Sequence, residues 1–368
     1  MKIGIPREVK NHEYRVACTP AGVHELVSRG HEVYLETGAG LGSAFGDETY
    51  TVAGARVLDT ADEVWGAADL VLKVKEPVAE EYGRLRENQV LFTYLHLAAS
   101  KECTDALLAS GITSIAYETV TGRDGSLPLL APMSEVAGRL APQAGAYHLM
   151  RSGGGRGVLM GGVPGTRPAK VVVLGAGVAG GNAIAVAHGM RADVTVLDLN
   201  IARLREIDAQ FRGQVRTVMS NRLEVDAAVR EADLVIGAVL VPGAKAPTLV
   251  SNDLVAQMKP GSVLVDIAID QGGCFADSRP TTHAEPTYRV HESVFYCVAN
   301  MPGAVPNTST VALTNATLPY VVSLAEHGWR DAVAADPGLA AGLSTHRGAL
   351  LSESVAQAHG YVTESLAA

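Results

Sequence analysis

A strongly apolar run, Val171-Val-Val-Leu174, passes directly into Gly175-Ala-Gly-Val-Ala-Gly180. Eighteen residues beyond the last of these glycines a second apolar run, Val194-Thr-Val-Leu197, ends on Asp198. Read in order, this is a strand, a glycine turn, an Ala/Val-rich helix and a strand with an acidic tip. That order restricts the segment to a parallel β-α-β unit of the kind that holds a dinucleotide. Gly175 permits the tight turn out of the strand. Gly177 lets backbone N–H groups approach a pyrophosphate, which the positive end of the helix attracts. Gly180 allows the helix to lie close to the sheet, and Asp198 is placed to accept hydrogen bonds from the ribose hydroxyls. Three spaced glycines alone are a common turn signal; the flanking strand, the helix and the distant carboxylate give them their meaning.

The remainder of the chain limits what surrounds this unit. A length of 368 residues exceeds one ordinary core and suits two domains. A net charge of −9, with no block of Lys and Arg, argues against nucleic acid or an anionic membrane as partner, and 5% aromatic residues argue against base-stacking platforms. Cys18, Cys103, Cys274 and Cys297 are widely spaced and read as buried thiols in a reducing compartment. The opening Met1-Lys-Ile-Gly-Ile-Pro6 reads as a strand and not as a leader. The most apolar stretch, 171–187, is interrupted by four glycines and Asn182, so a cytoplasmic protein is expected.

Short apolar runs alternate with amphipathic helical patterns along the first third. Strands are expected at residues 2–5, 32–36, 70–74, 90–95 and 112–117. Helices are expected at 20–28, stopped by Gly30, and at 101–110, stopped by Gly111. A turn-rich segment at 119–135 precedes a helix over about 134–150 that crosses into the next domain. Strands then recur at 171–174, 194–197, 215–219, 234–239, 263–267 and 294–298, a six-strand doubly wound set. Past Val305-Pro306 the pattern is helical, at 310–327, 339–343 and 350–359, with no further strand. The fold class expected is α/β, with two Rossmann-like doubly wound domains. The nucleotide-binding domain, 129–306, is inserted in a discontinuous substrate domain made of 1–128 and 307–368, with a hinge at the two crossings and the active site in the cleft.

In open α/β sheets, ligands bind beyond the carboxyl ends of the strands. Lys75 follows the run Leu70-Val-Leu-Lys-Val74, and Pro77 stops the strand from continuing. His96 ends Val90-Leu-Phe-Thr-Tyr-Leu95, Asp270 follows Val263-Leu-Val-Asp-Ile267, and Arg15 lies in a polar loop after the first strand. A single polar strand tip is ordinarily just solvated, but these four beside a dinucleotide site supply the parts for oxidising an amino or hydroxy acid. An Arg fork clamps a carboxylate, a Lys polarises a carbonyl, a His exchanges a proton near neutral pH, and a carboxylate orients water beside the nicotinamide. Glu118 also ends a strand and reads as mainly structural. His12, His31, His148 and His188 read as solvated or capping, and the adjacent pair Glu326-His327 makes a poor chelate, so no required metal is expected.

Motifs spread over the chain carry a resemblance. They are Met1-Lys-Ile-Gly-Ile-Pro-Arg-Glu8, Glu13-Tyr-Arg-Val16, Leu72-Lys-Val-Lys-Glu-Pro77, Leu91-Phe-Thr-Tyr-Leu-His96, Ala131-Pro-Met-Ser-Glu135, the glycine loop, Val265-Asp-Ile-Ala-Ile-Asp-Gln-Gly-Gly273 and Val298-Ala-Asn-Met-Pro302. In these the chain resembles the alanine dehydrogenase/pyridine nucleotide transhydrogenase family. The resemblance implies NAD-dependent oxidative deamination of L-alanine to pyruvate and ammonia, its reverse, and amination of glyoxylate as a side reaction. It further implies that Arg15 and Lys75 bind the substrate carboxylate and carbonyl oxygen, that His96 is the acid/base and that Asp270 assists proton transfer. Met133 and Asn300 would line the pocket. NAD would also contact Ser134, Val178, Arg203, Ser220, Val239, Leu240, Ile267, Asp270, Arg279, Val298 and Met301. It implies a homohexamer acting on small molecules. A magnesium site of some relatives would need an acidic residue where this chain has Ser323. The other branch, a soluble nucleotide-binding component of a proton-translocating transhydrogenase, would not need Arg15, Lys75 and His96 together. A sensor that binds NAD(H) without turning it over is a third possibility at this level.

Overall fold

The computed structural model describes residues 1–239 and 246–365. Among these, fifteen strands lie in two sheets. In chain order they are β1 Lys2–Ile5, β2 Glu32–Glu36, β3 Arg56–Leu58, β4 Leu70–Leu72, β5 Val90–Thr93 and β6 Thr113–Ala116, then β7 Lys170–Leu174, β8 Asp193–Asp198, β9 Arg216–Met219, β10 Leu234–Gly237, β11 Val263–Asp266, β12 Thr287–Val290 and β13 Ser293–Tyr296, and finally β14 Leu343–His346 and β15 Ala349–Leu350. The chain divides into two compact units, Met1–Met133 with Val305–Ala368, and Ser134–Ala304. Helix Ala131–Leu149 carries the backbone from one to the other.

The two sheets repeat one winding. In the first, parallel strands run in the order β3-β2-β1-β4-β5-β6; in the second, β9-β8-β7-β10-β11-β13. Each therefore reverses its winding direction once, between β1 and β4 and between β7 and β10. That switch opens a crevice at the carboxyl ends of the strands, where doubly wound sheets take their ligands. The central strands are buried on both faces, Leu70-Val-Leu72 and Val90-Leu-Phe-Thr93 throughout, which is why they read as unbroken apolar runs. Helices Pro20–Ser28 and Lys101–Ser110 lie where their periodicity and stop residues place them; Gly111, at φ 72, ends the second in the left-handed region.

The structure departs from the sequence reading chiefly at the edges. Expected strands 70–74 and 90–95 end at Leu72 and Thr93. Their last residues bend away, with the N–H groups of Val74, Leu95 and His96 taken up by glutamate side chains. The short edge strand β3 escaped the reading, because three residues with an exposed Arg56 carry no period. The second sheet has a seventh strand, β12, antiparallel to β13. The tail is not wholly helical: β14 pairs antiparallel with β6, and β15 with β14. Leu343-Ser-Thr-His346 hides its strand character in hydroxyls. Thr345 is fully buried, its Oγ1 2.7 Å from Ser114 Oγ and donating to the Ile112 carbonyl at 3.1 Å. The long helix Pro306–Ala335 is broken at Gly328 (φ 75, ψ 160), directly after the expected stop at His327. No described helix is long and apolar enough to cross a membrane.

The buried hydroxyl pair gives the tail its grip on β6. Thr345→Val is expected to cost about 1–3 kcal/mol, because Ser114 Oγ is left buried without its partner; urea unfolding of the variant against the wild type measures it.

Candidate active-site groups

The first unit gathers Arg15, Lys75 and His96 at the carboxyl ends of neighbouring strands. Arg15, 3% exposed, lies on the loop after β1. Its Nε donates to Glu13 Oε1 at 2.7 Å, and a second guanidinium nitrogen reaches Glu13 Oε2. Nη1 lies 3.0 Å from the sulfur of Met133. Burial alone would lower the Arg15 pKa, but the charge and hydrogen bonds of Glu13 more than reverse this and raise it. Burial likewise pushes Glu13 up, yet Arg15 outweighs it and holds Glu13 below the usual carboxylate range. Both stay charged, so Arg15 is a fixed, pre-aimed fork.

Lys75 is half-buried just past β4. Two residues earlier, just past β4, Lys73 is fully buried between Glu8 Oε2 at 3.1 Å and Glu81 Oε1 at 2.9 Å. Burial disfavours the Lys73 ammonium, but Glu8 and Glu81 override it and raise its pKa. Burial raises Glu8, and the charge of Lys73 offsets this only in part. The other oxygen of Glu8 accepts the N–H of Val74 at 2.6 Å and, more weakly, that of Lys75 at 3.4 Å. Glu8, Glu13, Lys73 and Glu81 were missed in the sequence. Their signal was a lysine inside the apolar run 70–74, which needs buried carboxylates elsewhere.

His96 follows β5 with φ 48 and ψ 35, the left-handed region. Its ring lies parallel to that of Tyr94, with centroids 6.0 Å apart and an interplanar angle of 16°. The carboxylate of Glu118 accepts its N–H at 2.6 Å.

In the second unit the glycine loop has the backbone geometry expected of it. Gly175 has φ 97, and a Cβ there would stand 2.8 Å from the Ala238 carbonyl oxygen. A Cβ on Gly180 would stand 1.8 Å from the Gly175 oxygen, while the space at Gly177, N-cap of helix Val178–Gly189, is open. Asp198 ends β8; its Oδ2 accepts the Ala176 N–H at 2.6 Å and its Oδ1 the Asn200 N–H at 2.7 Å, which leaves acceptor capacity on both oxygens. Arg203 folds back onto this loop, Nε donating to the Ala176 carbonyl at 2.6 Å and another nitrogen pairing with Glu206. The cradle fits a dinucleotide pyrophosphate and ribose.

Ser220, Val239, Ile267 and Val298 stand just past the ends of β9, β10, β11 and β13, and Leu240 lies outside the described residues. Val178 is exposed on the first turn after the loop, Met301 is buried, and Ser134 is half-buried near the start of the crossing helix. Arg279 is exposed, its guanidinium 4.0 Å from the Tyr288 ring centroid. Asp270 is exposed on a short turn after β11. Fully buried Asp266 shapes that turn, accepting the N–H groups of Ala268 at 3.0 Å and Cys274 at 2.8 Å and the Ser278 hydroxyl. Burial raises its pKa, against these hydrogen bonds. Asn300 has φ 66, and its carbonyl lies 3.1 Å from His283 Nε2. Among the described residues no group of three or more His, Cys, Asp or Glu is placed to hold a metal ion; Glu326 is engaged by Arg29 at 2.7 Å.

The glycine cradle and the two doubly wound sheets define an α/β protein of the dinucleotide-binding class. Family models for the N-terminal and C-terminal domains of alanine dehydrogenase/PNT match residues 4–137 and 141–353. The chain is 69% identical to the alanine dehydrogenase of Mycolicibacterium smegmatis, over 97% of this chain and 96% of that one, and 58% identical to that of Halomonas elongata over 98% and 97%. A solved L-alanine dehydrogenase superposes with a TM-score of 0.95 at 51% identity, covering 98% and 99% of the two chains. A transhydrogenase from Sinorhizobium meliloti gives 0.84 at 28%, covering 95% and 100%. The chain belongs to the alanine dehydrogenase/PNT family.

The cradle yields a direct test. Gly180→Ala is expected to abolish tight NADH binding, because the added carbon collides with the Gly175 backbone and must displace the loop; a fluorescence titration with NADH reads it.

Proposed function

We propose that this chain catalyses the NAD-dependent oxidative deamination of L-alanine to pyruvate and ammonia, and the reverse amination. The observation that carries it is the near-full-length likeness, at 69% identity, to chains named alanine dehydrogenase. The presence of Arg15, Lys75 and His96 at adjoining strand ends supports that branch over the transhydrogenase one, for which the solved relative is 28% identical.

In this reading Arg15, fixed by Glu13, clamps the substrate carboxylate. Lys75 holds the oxygen of the keto acid, or of the carbinolamine that precedes it, and steadies negative charge there. Bound NAD supplies the hydride acceptor. His96 withdraws a proton from the water that adds to the imino carbon and returns one to nitrogen as ammonia leaves. Asp270 assists that proton transfer, and Met133 and Asn300 line the methyl pocket. Ser134, Val178, Arg203, Ser220, Val239, Leu240, Ile267, Arg279, Val298 and Met301 contact the cofactor. Asp198 selects NAD, because its carboxylate accepts the ribose hydroxyls and repels a 2′-phosphate; the inward fold of Arg203 onto Ala176 supports this choice. The family resemblance supports a homohexamer, and composition a cytoplasmic location. Glyoxylate is a secondary substrate.

Oxidation of NADH on adding pyruvate with ammonia tests the activity, and its absence would overturn the assignment. His96→Ala is expected to lower the turnover number by about 10²–10⁴-fold, measured in the same assay. Asp198→Ala should raise the Michaelis constant for NAD about tenfold or more, since charged hydrogen bonds of about 1.5–3 kcal/mol are lost, in steady-state kinetics with NAD varied.

A further inference from the structure

We infer that Glu118 is a positioning residue that sets the aim of His96 through the backbone; this rests on the reading of His96 as acid/base. Glu118 lies on the short turn Tyr117–Thr119 after β6, the strand that pairs with β5. Its Oε1 accepts the His96 N–H at 2.6 Å, and both its oxygens lie 3.2 Å from the Leu95 nitrogen. The strand ladder ends at Thr93, so these two donors have left the sheet, and this one carboxylate gathers both. His96 is thereby held at φ 48, a conformation that a side chain bearing a Cβ adopts rarely and only when its surroundings impose it. At this bend the imidazole lies parallel to the Tyr94 ring. Tyr94 is in turn fixed, its hydroxyl donating to the Leu129 carbonyl. Backbone and ring are thus pinned from opposite ends, and the side chain never needs to touch Glu118. The essential property of Glu118 is one acceptor oxygen, Oε1, within reach of both donors at full glutamate length, more than its charge.

Amination of pyruvate with the full-length enzyme tests this. Glu118→Ala should lower kcat about 10–100-fold, the scale of a small misplacement of a reacting group. KM for pyruvate should stay within about threefold, because Arg15 and Lys75 hang on other strand ends. Glu118→Gln, which keeps an acceptor oxygen at the same reach, should recover kcat to within about fivefold. Glu118→Asp keeps the charge but falls one methylene short, and should lose more than Gln. If the Ala variant does not fold, the comparison of Gln with Asp decides alone. Unchanged kcat in Ala, a change confined to KM, or Asp retaining more activity than Gln would each overturn the inference. Failure of the underlying reading is distinct: the wild type would then oxidise no NADH with pyruvate and ammonia.

Discussion

The ends of β4, β5, β7, β8 and β11 are closed by carboxylates that accept backbone N–H groups. Where a parallel strand stops, its next donors have lost the neighbouring carbonyls and must find other partners if they are shielded from water. Glu8 takes the donors of Val74 and Lys75, Glu118 those of Leu95 and His96, Asp198 those of Ala176 and Asn200, and Asp266 those of Ala268 and Cys274. An anionic acceptor makes shorter and stronger bonds than a neutral one. Two such bonds to one side chain define a bend far more sharply than a solvated loop would. The reactive side chains can then project from turns while keeping the geometric precision of the sheet.

Such closure carries an electrostatic burden. Desolvation opposes the charge on Glu8 and on Asp266, and both carboxyls are pulled above their ordinary values. The sheet offsets this differently in the two places. Glu8 has a buried ammonium, Lys73, which a second carboxylate, Glu81, also shares, whereas Asp266 relies on a hydroxyl and backbone donors alone. Removing one member of the buried trio would leave the others unpaired in a medium that cannot solvate them, so the three residues act as one unit.

The winding of both sheets and the cofactor cradle were legible because glycine spacing and long apolar runs are local signals. Gly175, Gly180 and Asp198 lie where a strand–turn–helix reading puts them, and His96 and Lys75 were visible as polar residues just past apolar runs. The supporting carboxylates were not. Glu8 is 65 residues from Lys73, and Glu118 is 22 from His96, so each is recognisable only once strand order brings it alongside. Glu118 reads from sequence as an ordinary polar strand tip; its two backbone bonds come from the adjacency of β5 and β6. The tail was misread for a related reason. Thr345 looks polar and loop-like, yet it is buried because Ser114, 231 residues earlier, supplies its partner.

That separation has a temporal side. The β6 edge stays unpaired while the ribosome makes the whole intervening unit, and only then does β14 arrive to cover it. Until that moment the nascent first sheet presents a row of open amide and carbonyl groups to every other chain nearby. The two-residue strand β15, too short to template further addition, is a fitting terminus for a sheet that has waited so long to be sealed.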